Sequence, residues 1–166
     1  MLTYDYFSTS FGQLTVVKSE RGICYIALPS NKLANIRSWL RRFFPDETLT
    51  SAPAPFERER QELREYLQGR RKQFSFPLDH RNSPFSIKVL EEVCRVPYGA
   101  TATYGTIARR IGYRRAARAI GNALAANPLA LAIPCHRIIG TDGSLTGYSG
   151  GIALKAQLMD LESRGS

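Results

Sequence analysis

Near the N-terminus apolar and polar residues alternate, and further along they recur with a helical period. Residues 4–8 and 14–18 read as strands around a Phe11-Gly12-Gln13 turn, and Gly22 precedes a third strand, the apolar run 23–28. Leu33, Ile36, Leu40 and Phe43 then share one face of a helix, with Asn31 as its predicted cap and Pro45 as its stop. A second helix is predicted over residues 55–67, ending at Gly69, and a strand over 73–76, closed by Pro77. Residues 78–83 are turn-like and mark a domain boundary, giving domains 1–80 and 81–166.

The second half is mainly helical. Ser83-Pro84 is a cap followed by proline at the first helical position, and Val89, Leu90, Val93 and Val96 follow at helical spacing up to Pro97-Tyr98-Gly99. Thr103 caps a short helix over 104–111, Gly112-Tyr113 breaks it, and another runs over 114–126 to Asn127-Pro128. Two short helices around a glycine-containing turn outline a helix-turn-helix. A short apolar run, 129–133, leads into Pro134-Cys135-His136-Arg137, Asp142-Gly143 reads as a hairpin turn, and a last helix covers 152–162. The fold class is therefore α+β: an N-terminal α/β domain with a small antiparallel sheet, and a mostly helical C-terminal domain.

Composition narrows the function. With 166 residues and 43% apolar content the chain can bury a core without staples. Three cysteines and no C-x-x-C pair point to a reducing compartment and away from zinc fingers. Two histidines exclude a histidine-rich metal site. No apolar run approaches the roughly 18 residues of a membrane span, and the N-terminus lacks a secretory pattern. The net charge of +9 suggests an anionic partner. Lys and Arg exceed Asp and Glu by 12 to 9 over residues 1–80 and by 11 to 5 over 81–166, and six arginines lie between Arg109 and Arg137 with no acidic residue.

The helix RRAARAIGNALAAN has unusually small side chains around one arginine, Arg118. It reads either as a high-propensity helix packed closely on a neighbour, or as a helix small enough for a minor groove about 6 Å wide, with Arg118 as a wedge in a base stack. Cys24 and Cys94 read as core thiols. Cys135 reads either as a buried structural thiol or as a nucleophile whose thiolate fraction His136 and nearby positive charges raise. Neighbouring side chains usually point apart, so a tight turn or a bridging water is needed to couple them. A basic His136 also needs an orienter, for which Glu162, Asp142 and Asp160 all qualify.

IPCHRIIG, preceded by PYGATATYGTIA and RAARAIGNALAANP and followed by GYSGG, resembles the O6-alkylguanine-DNA alkyltransferases from about Phe85 to Glu162. The N-terminal half resembles that family only in length and in its strand-and-helix pattern. The resemblance implies direct-reversal repair: irreversible, single-turnover transfer of an alkyl group from guanine O6 in double-stranded DNA to Cys135, with O4-alkylthymine as a further possible substrate. It makes His136 the base through a bridging water and Glu162 its polarising partner. Tyr104 and Lys155 support proton delivery, and Asn127 links the helix-turn-helix to the active-site turn. Arg118 becomes the finger that replaces a flipped nucleotide. Ala117, Ala119 and Gly121, with Thr103 and Tyr104, form the surface against DNA. Ile138, Tyr148 and Ser149 line the base pocket.

The resemblance further implies no cofactor, no metal, no membrane and a monomer, located in the cytoplasm at the nucleoid in a prokaryote or in the nucleus of a eukaryote. The zinc of some members needs a Cys/His set that Cys24 and His80 do not supply. Leu90 stands where members usually have tryptophan, which implies a packing change, and the intact Cys135 argues against the non-catalytic relatives. Two other readings stay open on the residues alone: a binding module without chemistry, and a Cys-His hydrolase.

Overall fold

The computed structural model describes residues 1–52 and 54–165. The chain is α+β and divides into two compact units, Met1–Arg81 and Asn82–Ser166.

In the first unit, strands β1 (Leu2–Thr9), β2 (Gly12–Ser19) and β3 (Gly22–Ala27) form an antiparallel meander. The β1–β2 turn closes at Thr9 opposite Gly12, whose φ of +105° suits glycine. β3 is buried along its whole length. Helix α1 (Leu33–Phe43) packs Ile36 and Leu40 on Leu2, Val17, Cys24, Tyr25 and Ala27, and Trp39 meets Tyr25 edge-on at 5.2 Å. Cys24 is a core thiol as read, and burial pushes its pKa up to about 12.

Two expectations fail here, each because a side chain finds another partner, and a third shifts only at its start. Asn31 does not cap α1; its Oδ1 accepts from Leu28 N–H at 2.6 Å, and Lys32 takes the cap position without a side-chain bond. The predicted helix over 55–67 begins as a 3-10 turn (Ala54–Phe56) before α2 (Glu57–Leu67). Residues 73–76 form no strand, because Ser75 N–H donates to Glu62 Oε2 at 2.7 Å and Phe74 and Phe76 stack at 5.1 Å. The sheet's fourth strand is instead the short β4 (Leu49–Ser51), parallel to β1.

In the second unit, Ser83 caps α3 (Pro84–Val93) by accepting from Ser86 N–H, with Pro84 at the first helical position. Val89, Leu90 and Val93 are its core face. Cys94 lies just past the end of α3 and is exposed, not a core thiol as read. Thr103 caps α4 (Tyr104–Arg110), accepting from Thr106 N–H at 3.1 Å. Gly112, at φ +81°, turns the chain. α5 (Ala117–Ala125) starts three residues later than expected, because a turn closed by Ala116 N–H on Tyr113 O occupies residues 113–116 and leaves Arg114 and Arg115 exposed ahead of the helix.

Two-residue strands β5 (Ala102–Thr103) and β6 (Ile138–Ile139) pair in parallel, a feature too short to read in sequence. They set the segment after Cys135 beside the start of α4. Asp142-Gly143 makes a turn, but among the described residues no strand follows it to pair back on β6, so it is not a hairpin. Helix α6 (Ile152–Gly165) closes the unit. Among the described residues, no helix is long and apolar enough to cross a membrane.

Candidate active site

The helix that follows the turn supplies one wall of a cleft of about 580 Å³. Ala117, Gly121, Leu124 and Ala125 recur at helical spacing along that wall. A Cβ on Gly121 would meet nothing within 4 Å, so this glycine leaves open space over the cleft and is not a packing necessity. Tyr104, Cys135, Gly140, Thr141 and residues 146–149 complete the cleft. Arg118 and Ala119 are exposed on the same helix.

Cys135 reaches the cleft through a chain of tight turns. Leu131, buried, is held at φ +71°, the one positive φ among the described residues other than glycine. Ala132 N–H bonds Ala130 O, Cys135 N–H bonds Ile133 O at 2.8 Å, and Cys135–Arg137 form one 3-10 turn. Asn127, just past α5, fastens this turn. Its Nδ2 donates to Ile133 O at 3.0 Å and to Cys135 Sγ at 3.2 Å, while its Oδ1 accepts from Leu129 N–H. The thiol and the helix wall are thereby one construction.

His136 is fully buried and bonds Glu162 through Nε2, at 2.8 Å from Oε1. Glu162 is therefore the orienter. The other two candidates are engaged elsewhere: Asp142 Oδ1 accepts from Ser144, and Asp160 pairs with Arg164. Arg137 also donates to Glu162, Nε to Oε2 and Nη2 to Oε1 at 2.8 Å each, and Gly99 N–H adds a fourth bond at 3.2 Å. A carboxylate facing four N–H donors offers only lone pairs. The hydrogen between Glu162 and His136 thus belongs to Nε2, and Nδ1 keeps its lone pair.

Lys155 is wholly buried and donates to the carbonyls of Ile138 and, at 2.8 Å, Thr146. It pins the cleft loop from behind rather than lining the cleft. Burial pulls its pKa down, and the nearby Cys135 opposes that. Ile138, also buried, presents its carbonyl to this ammonium. Tyr104 Oη accepts from Thr146 Oγ1 at 3.1 Å at the cleft edge. Tyr148 lines the cleft beside Ser149, and its ring meets the His136 ring edge-on, with centroids 6.4 Å apart.

The electrostatics depart from one expectation. Burial pushes the Cys135 thiol up, outweighing the Asn127 bond and the Lys155 charge that pull it down. Burial likewise pulls His136 down against the pull of Glu162. Both shifts favour the neutral thiol and the neutral imidazole.

The basic stretch resolves into two populations. Arg137 turns inward, and Arg110 pairs with Glu92. Arg109, Arg114, Arg115 and Arg118 are exposed and form no salt bridge among the described residues. Sequence reasoning missed Arg137 and Gly99 as partners of Glu162, although an arginine inside the apolar run IPCHRIIG was a sign of a buried ion pair. Among the described residues no group of three or more His, Cys, Asp or Glu is placed to hold a metal ion.

Residues 84–164 match the family model of the 6-O-methylguanine DNA methyltransferase DNA binding domain, and residues 2–80 match that of its ribonuclease-like domain. The inducible methylated-DNA–protein-cysteine methyltransferase of Bacillus subtilis is 36% identical over 151 residues, 91% of this chain and 84% of the relative. The corresponding protein of Mycolicibacterium paratuberculosis is 40% identical, over 90% of this chain and 92% of its own. A crystal structure of Mycobacterium tuberculosis OGT in complex with DNA superposes with a TM-score of 0.86 at 33% identity, covering 99% of this chain and 94% of that one. This chain belongs to the 6-O-methylguanine DNA methyltransferase family.

Proposed function

We propose that this protein restores guanine in duplex DNA by moving the O6-alkyl group onto Cys135, once per molecule. The observation that carries the reading is the placement of Cys135 Sγ in a cleft walled by the small-residue face of α5, with a His136–Glu162 pair behind it. The Mycobacterium tuberculosis relative crystallised with DNA supports the partner. Arg109, Arg114 and Arg115, exposed around α4 and α5, suit phosphates.

A base stacked in a duplex keeps its O6 substituent out of reach of a buried thiol, so the nucleotide must rotate into the cleft. α5 offers a groove only Ala117, Ala119 and Gly121, which lets the backbone approach, and Arg118 fills the vacated stack. In the cleft the thiol proton passes towards His136 Nδ1 and sulfur attacks the alkyl carbon. The C–S bond forms as the C–O6 bond breaks, and its electron pair goes to the guanine, which takes up a proton at N1. Tyr104, at the cleft edge, is the donor on that side and regains its proton from solvent as the His136 imidazolium releases the one taken from the thiol, and Lys155 stabilises the developing thiolate through its charge. A thioether is not a disulfide, so no nearby thiol reverses the product.

A raised thiol pKa suits such a protein, because the thiol stays protonated until a substrate is seated. Titrating a duplex carrying one O6-methylguanine with protein tests the reading. The number of guanines restored should equal the number of protein molecules added. Repair exceeding that number contradicts single turnover, and binding without repair would make this a recognition module.

A further inference from the structure

The relay behind Cys135 contains one more charged group than proton transfer requires. Arg137 is 7% exposed. Its Nε and Nη2 grip both oxygens of Glu162, its Nη1 donates to Val96 O at 2.7 Å, and its guanidinium lies 5.7 Å from the centre of the Tyr98 ring. Every arm of the fork is thus fixed. We propose that Arg137 is a positioning residue of the transfer reaction: its fork sets the Glu162 carboxylate against His136 Nε2, and its charge offsets that of Glu162 so that Nδ1 remains a neutral proton acceptor. The inference rests on the alkyl-transfer reading.

The charge balance around His136 can be followed group by group. From its own turn it faces the neutral Cys135 and the cationic Arg137, from α6 it faces Glu162 and Lys155, and from the cleft loop it faces Tyr148. Glu162 alone favours the imidazolium, and Arg137 and Lys155 oppose it, as does burial. Without Arg137 the anion beside Nε2 is uncompensated, and an imidazolium cannot accept the thiol proton. Geometry matters independently. A lysine in its place keeps the charge but can present only a point donor, so the carboxylate plane is free to rotate.

The test measures second-order rate constants for O6-benzylguanine across pH in wild type, Arg137→Lys and Arg137→Met, with circular dichroism confirming the folded fraction. Arg137→Met should move the acidic limb of the profile upward by about one pH unit. Arg137→Lys should leave the limb in place and lower the plateau by about tenfold, the scale of a lost alignment. If the methionine variant does not fold, the lysine variant decides, since a wild-type plateau there contradicts positioning by the fork. Folded variants that lose stability but keep both limb and plateau overturn the proposal. A wild type that takes up no benzyl group would instead overturn the transfer reading itself.

Discussion

Arg118→Ala will slow repair of O6-methylguanine in duplex DNA by about a hundredfold, the equivalent of the few kcal/mol that unstacking a base requires, and will leave reaction with free O6-benzylguanine essentially unchanged. Arg118 is exposed on α5, forms no salt bridge among the described residues, and does not line the cleft that holds Cys135. Its neighbours Ala117 and Ala119 are alanines, so truncation removes the long side chain that this stretch of α5 offers to the gap left by a rotated nucleotide. The free base needs no gap filled. Parallel loss on both substrates would contradict the finger role.

Glu162→Gln will damage both the fold and the chemistry. Glu162 is 1% exposed and accepts from His136, twice from Arg137, and from Gly99 N–H. An amide keeps the volume but presents donors where donors already point, and it leaves the Arg137 guanidinium buried without its anion. Breaking a buried pair in this way costs about 3–5 kcal/mol, which thermal unfolding will report. The transfer rate of the remaining folded protein should fall by about 10²–10⁴, the usual contribution of a positioned general base. The amide no longer fixes the imidazole tautomer that keeps the lone pair on Nδ1. A folded variant reacting at the wild-type rate would show that His136 needs no orienter.

The helices were legible wherever their signals are local. Ser83-Pro84 and Thr103 cap α3 and α4 as read, because each cap is one side chain meeting one N–H three residues on. The failures involve partners that no cap, period or turn signal announces. Asn31 looked like a cap but bonds backward to Leu28, and Ser75 is drawn out of strand geometry by Glu62 on α2. β4, β5 and β6 are two or three residues long and exist only through their partners, so no period announces them.

The site shows the same division. Cys135, His136 and Asn127 stand out by residue type and spacing, and the family resemblance named Glu162. The choice of Glu162 over Asp142 and Asp160 depends on where α6 sets its last turns, which spacing cannot give. Charge counting grouped Arg137 with the arginines of the helix-turn-helix, whereas folding turns it inward to bind Glu162. Net charge measures how much basic side chain is present, not how much is left free for a partner. The thiol was expected to be activated by its cationic neighbours, yet its burial dominates.

The most direct test of the account is intact mass spectrometry after incubation with O6-benzylguanine, followed by peptide mapping. Cys94 serves as an internal control, because it is the exposed thiol, whereas Cys135 is buried at the cleft floor. The account predicts one benzyl increment per molecule, located on Cys135, and none in Cys135→Ala. No adduct on the wild type, or an adduct on Cys94 that persists in Cys135→Ala, would contradict it.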